Sequence, residues 1–113
     1  MILVDDKSND NSITVINNYA KCYDNIKSIF LEKNTGNPST PRNVGMKHAS
    51  AHYMMFVDAD DCLVKDCCEN VYNLIVGEDM DIVNFKHCVK FSDGLYSYSN
   101  KGLSHNLSFE FFT

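Results

Sequence analysis

Five carboxylates stand out by type and spacing. Asp5 and Asp6 end the apolar run Ile2-Leu3-Val4, and Asp58, Asp60 and Asp61 close the stretch Phe56-Val57-Asp58-Ala59-Asp60-Asp61. Like charges about 4 Å apart repel by roughly 4 kcal/mol at an effective dielectric near 20, so collecting them at the end of a buried strand is costly unless something positive binds there. A hard divalent cation is the fitting counter-charge, because Mg²⁺ and Mn²⁺ take oxygen ligands from carboxylates and phosphates. A bound cation turns the repulsion into attraction. The plainer readings are a solvated loop at residues 58–61 that caps a helix starting near Asp66, and an ordinary strand-end turn at Asp5-Asp6.

The elements that must position these groups alternate between two periodicities. Ile2-Leu3-Val4 is a short continuous apolar run of the kind found in strands buried on both faces. After it, Ser8, Asp10 and Asn11 offer N-cap side chains, and Ile13, Ile16, Tyr19, Ala20 and Tyr23 fall at helical spacing. Lys27-Ser28-Ile29-Phe30-Leu31 predicts a second strand, and residues 34–41 form a loop of turn formers. Pro41 suits the first position of a short helix reaching about Ala49. Residues 53–57 predict a third strand that ends in the acidic cluster. Asp66, Val71, Leu74 and Ile75 signal another helix. Residues 81–85 predict a fourth strand that extends toward Phe91, and Ser92-Asp93-Gly94 a hairpin turn into residues 95–99. Strand-helix alternation with short links is the pattern of an α/β sheet, and such sheets place ligands at the carboxyl ends of their strands. Both acidic groups stand there.

Composition narrows the classes further. With 113 residues, 44% of them hydrophobic, the chain can build a core as one small domain or part of a larger one. A net charge of -5 with scattered Lys and Arg argues against nucleic acid and against an anionic lipid surface as partners. The odd set of Cys22, Cys62, Cys67, Cys68 and Cys88 contains no CxxC pair and suits reduced thiols. Met1-Ile2-Leu3-Val4-Asp5-Asp6 lacks a basic n-region, and no apolar run approaches the roughly 20 residues of a membrane span. The expectation is a cytoplasmic protein, free or at the membrane periphery. His48, His52, His87 and His105 show no ligand spacing, and surface or core roles suit them.

Three stretches taken together resemble the family 2 glycosyltransferases of the GT-A fold. Residues 2–12, ILVDDKSNDNS, resemble that family's strand ending in D-D-x-S-x-D-x-S. Residues 36–45, GNPSTPRNVG, resemble its G-x-x-S-x-A-R-N-x-G segment, with Pro41 where Ala is usual. Residues 56–61, FVDADD, resemble its D-x-D motif. Each piece alone is weak, but their order and spacing are specific, and the likeness covers roughly residues 1–85. It implies a mixed, mainly parallel α/β sheet flanked by helices, partial here: one GT-A domain with its donor part in residues 1–85 and a hairpin and tail in 86–113. It also implies transfer of a sugar from a nucleotide-diphosphate donor, a UDP-sugar, to a hydroxyl acceptor in glycan or polysaccharide synthesis. In that scheme Asp5 or Asp6 hydrogen-bonds the base and Arg42 helps to hold the donor. Asp58 and Asp60 face the ribose and a Mn²⁺ or Mg²⁺ ion, with Asp60 the stronger ligand, and Asp61 assists or caps the next segment.

The chain departs from the family pattern in two places. Its first residues open almost directly on the D-D strand, without the preceding family strand that lies between the D-D and D-x-D strands. The expectation is that those two strands close up, that another copy fills the gap through the exposed edges, or that the fold is marginal. The second departure is the general base that would take the acceptor proton, which is not found. Glu78-Asp79 is an acidic pair, but it precedes a predicted strand and is not assigned that role. A non-catalytic nucleotide- and metal-binding fragment is therefore the alternative. A phosphoacceptor-like domain is weaker, because no Lys and Ser/Thr pair stands at later strand ends.

Overall fold

The computed structural model describes residues 1–83 and the backbone of two further short strands. The element order is β1 (Ile2–Asp5), α1 (Ser12–Cys22), β2 (Lys27–Phe30), α2 (Ser39–His48), α3 (Cys67–Glu78), β3 (Cys88–Lys90) and β4 (Tyr96–Tyr98). The chain divides into two compact units, Met1–Phe56 and Val57–Thr113.

In the first unit β1 and β2 form a parallel pair, with Ile2 opposite Lys27 and Asp5 opposite Phe30. The ladder runs past both ends. The Lys27 N–H donates to the Met1 carbonyl at 2.9 Å, and the Leu31 N–H donates to the Asp5 carbonyl at 2.9 Å. Parallel strands require a crossover, which α1 supplies while packing against both. The start of α1 is tied by Asp10, whose Oδ1 accepts the Ser12 N–H at 2.9 Å. Hydrogen bonds from Ser12 hold this exposed carboxyl below its ordinary range. At the far end of α1 the Tyr19 and Tyr23 rings stack, 6.1 Å apart.

Helix α2 begins two residues earlier than expected, at Ser39, so Pro41 occupies its third position rather than its first. Proline is tolerated there because the amides of a first turn have no intrahelical acceptor. The helix packs on β1. Gly45 sits at the contact: a Cβ built there would lie 3.5 Å from Val4 Cγ2, which leaves room for a methyl group and little more.

Two expectations about the sheet are corrected. Residues 2–4 are half-buried rather than buried on both faces, and among the described residues β1 pairs with β2 alone. Residues 53–57 form no strand. An extended segment becomes a strand through ladder hydrogen bonds, and among the described residues none pairs with it. Met54, Phe56 and Val57 are accordingly about half exposed. The β1 and residue 53–57 segments have therefore not closed up into a ladder.

In the second unit the core follows one helical stripe. Cys67, Val71 and Ile75 recur every fourth residue on α3 and are the buried apolar residues of the described chain, with Cys67 at 0% exposure. Burial pushes the Cys67 thiol up, with Cys68 adding to the shift, as suits a small apolar filler. The helix stops where Asp79 turns left-handed at φ 52°, and the N–H groups of Asp79 and Met80 both donate to the Ile75 carbonyl. Residues 81–83 lie outside any strand, contrary to the expected fourth strand, and the rest of that stretch lies outside the described residues. The predicted hairpin pairing is present as β3 against β4, antiparallel, with Val89 opposite Ser97; its turn lies outside the described residues. Among the described residues no helix is long and apolar enough to cross a membrane.

Two substitutions test this packing. Gly45→Ala should hold or raise stability by up to about 1 kcal/mol, because alanine favours a helix and its methyl fits. Gly45→Leu should lower it by about 1–3 kcal/mol by driving α2 off β1. Equal urea midpoints for the two variants would show that α2 does not rest on β1 there. In α3, Ile75→Ala should cost about 2–4 kcal/mol in the same assay.

Candidate functional site

Consecutive side chains of a strand point to opposite faces, and the two aspartates at the end of β1 divide accordingly. Asp5 turns inward. It is the one buried charged residue among those described, at 4% exposure, and its Oδ2 accepts the Ser8 N–H at 3.0 Å. Burying a carboxylate is tolerable only with such donors. Ser8 is thereby held at the turn where the chain leaves β1, and Lys7 adopts a left-handed φ of 56°.

Asp6 is half-buried and faces the loop that follows β2. Its carboxylate accepts the Thr35 N–H on both oxygens at 3.0 Å, and Oδ2 also accepts the Thr35 hydroxyl at 2.9 Å. Its carbonyl accepts the Asn34 side-chain N–H at 2.8 Å. Lys7 reinforces the junction by donating its ammonium to the Glu32 carbonyl at 2.9 Å. The tips of the two parallel strands are thus laced together by side chains 25 to 29 residues apart in sequence.

The loop then organises itself toward α2. Asn34 Oδ1 accepts the Gly36 N–H at 2.9 Å, and Gly36 takes the left-handed φ of 66° that favours glycine. Asn37 donates its side-chain N–H to the Thr35 carbonyl at 3.0 Å, while its Oδ1 accepts the Thr40 N–H at 3.0 Å and satisfies a first-turn amide of α2. Asn34, Thr35 and Asn37 were visible in the sequence only as turn formers. Their polar side chains beside Gly36 are the signal that a built loop leaves.

Arg42 lies on α2 in the same unit, exposed, one turn beyond this loop. Asp58, Asp60 and Asp61 belong to the second unit. They form an exposed turn in which the Asp61 N–H donates to the Asp58 carbonyl at 3.1 Å. This is a turn rather than the end of a buried strand, because residues 53–57 carry no ladder. Among the described residues no three His, Cys, Asp or Glu side chains gather into a cluster able to hold a metal by themselves. The donor set that Asp58 and Asp60 offer is two carboxylates with one residue, Ala59, between them. It suits Mg²⁺ or Mn²⁺ in the mode that one or two carboxylates share with substrate phosphates. Glu78 and Asp79 are the last residue and the left-handed cap of α3.

Comparison with known proteins places this arrangement. The family model described as glycosyl transferase family 2 matches residues 1–111. A poly(ribitol-phosphate) beta-glucosyltransferase of Bacillus spizizenii is 39% identical over 73% of this chain and 13% of its own length. The poly(ribitol-phosphate) beta-N-acetylglucosaminyltransferase TarP of Staphylococcus aureus is 38% identical over 80% of this chain and 27% of its own. Among solved structures, S. aureus TarS 1-349 in complex with UDP superposes with a TM-score of 0.66 at 28% identity, over 92% of this chain and 28% of that one. The chain thus spans under a third of the length of these relatives. The α/β fold is that of the TarS GT-A domain, and the chain belongs to the glycosyl transferase family 2.

Proposed function

We propose that this chain carries the donor-binding part of a glycosyltransferase that moves a sugar from a UDP-sugar to a hydroxyl of a glycan or polyol-phosphate acceptor in cell-surface polymer synthesis. The observation that carries the reading is the laced tip of β1. Asp6 is held in a fixed orientation at the carboxyl end of a parallel strand, where α/β sheets bind ligands, in a family whose relative TarS crystallises with UDP. The poly(ribitol-phosphate) relatives favour a teichoic-acid-like acceptor.

In this reading each residue has a chemical role. Asp6 accepts the N3–H of uracil, a charge-assisted bond that sets both base identity and orientation. Asp5, buried and bonded to Ser8, holds the turn behind Asp6 and contributes to the nucleotide site from beneath. Arg42 donates to the donor's phosphates. Asp58 faces the ribose hydroxyls. Asp60, with Asp58, would hold Mn²⁺ or Mg²⁺, which supplies charge neutralisation for a departing diphosphate. A second reading, in which the chain binds donor without transferring sugar, is favoured by one observation. The Glu78-Asp79 pair is taken up in ending α3, and no other acidic pair among the described residues follows the turn at 58–61.

Calorimetric titration separates these readings. UDP should bind with Mn²⁺ present and more weakly without it. Asp60→Asn should abolish the difference made by the cation, and an unchanged Mn²⁺ effect would remove the metal role. Asp6→Asn should weaken UDP about ten- to hundredfold, the scale of one hydrogen bond to a charged group. Release of UDP from UDP-sugar in the presence of a polyol-phosphate acceptor would establish transfer; binding without release would establish the second reading.

A further inference from the structure

Thr35 has no role in the reading above, yet it makes more bonds to Asp6 than any other residue. Its N–H lies 3.0 Å from each carboxylate oxygen, so that amide straddles the group, and its hydroxyl lies 2.9 Å from Oδ2. The Asn37 carbonyl is a second acceptor for the same hydroxyl, but at 3.3 Å it is the longer contact. An ionised carboxylate offers about four lone-pair sites. Three are engaged from one side by a single residue, and two of those three contacts fall on Oδ2 with the hydroxyl. Oδ1 takes the amide alone and keeps an acceptor site open.

We infer that Thr35 is the positioning residue that sets the base preference of the nucleotide site: by saturating Oδ2 it presents Oδ1 of Asp6 as the single open acceptor. This rests on the donor-site reading, and it adds to it a cause for selectivity. Uracil carries a proton at N3 and donates to an open carboxylate oxygen. Cytosine carries a lone pair at N3 and is repelled by it. A carboxylate that could swing would discriminate less, because it could turn both oxygens from an unsuitable base and meet its amino group elsewhere. Thr35 removes that freedom. Its own placement is secured by neighbours, since Asn37 donates to its carbonyl at 3.0 Å and the adjacent Gly36 supplies the left-handed turn. The hydroxyl is therefore a fixed donor rather than a rotor on a loose loop.

The test compares UDP and CDP affinity by calorimetry on the full chain, with Mn²⁺ present. The wild-type chain should prefer UDP. Thr35→Val keeps the shape and removes the hydroxyl; UDP should weaken about tenfold and CDP by less than threefold, so the preference collapses. Thr35→Ser restores the hydroxyl and should restore the preference. Thr35→Ala serves as a second hydroxyl-free variant should Thr35→Val fail to fold. Equal weakening of both nucleotides would show a merely structural loop role and overturn the inference, as would an unchanged preference in Thr35→Val or a lost one in Thr35→Ser. A wild-type chain that binds neither nucleotide overturns the donor-site reading itself and takes the role of Thr35 with it. A wild-type chain that binds UDP and CDP alike overturns the inference and leaves donor binding standing.

Discussion

The first unit depends on one peptide, Asp5-Asp6, at the point where β1 ends. Its two side chains work in opposite directions. Asp5 is pulled under the turn by the Ser8 amide, and Asp6 is pulled across to the far strand's loop by Thr35. The Asp5 carbonyl accepts the Leu31 N–H and the Asp6 carbonyl accepts from Asn34. A two-stranded parallel pair is a weak object, since it has two open edges and a short ladder. Fastening its carboxyl end with side-chain bonds compensates where backbone pairing runs out. The same fastening fixes the orientation of the Asp6 carboxylate, which Thr35 holds through three contacts.

This arrangement separates the two aspartates by role in a way their adjacency hides. Asp5 is a buried carboxylate held by one backbone donor, and Asp6 is a half-buried one held across the strand tips by Thr35. The second acidic group differs again. Residues 58–61 form an exposed turn, closed by the Asp61 N–H on the Asp58 carbonyl, so its carboxylates carry their charge at low desolvation cost.

Much of this was legible in the chain itself, for identifiable reasons. Helices α1, α2 and α3 announce themselves because their signals are local: a 3.6-residue period, Asp10 before Ser12, and the apolar stripe through Val71 and Ile75. Strands β1 and β2 are short apolar runs flanked by turn formers. The failure at residues 53–57 is equally physical. The run has strand composition, but strandness is conferred by a partner, and partnership is not a property of the run. Asp6 was legible as a strand-end carboxylate through its motif. Thr35 was not, because it reaches Asp6 across 29 residues of sequence and a threonine in a turn-rich stretch has no distinguishing neighbour pattern.

The two prolines flanking Ser39 and Thr40 have a consequence for the loop ahead of them. A residue before proline is steered away from helical backbone, so Pro38 discourages Asn37 from coiling. Pro41 has no amide to offer Asn37, so a helix wound backward past Pro38 would meet a missing rung. Together they act as a ratchet: α2 can fray forward but cannot annex the segment that carries Thr35. The loop thereby keeps an irregular backbone whose form is set by its own side chains, Asn34 and Asn37, rather than by the helix that follows.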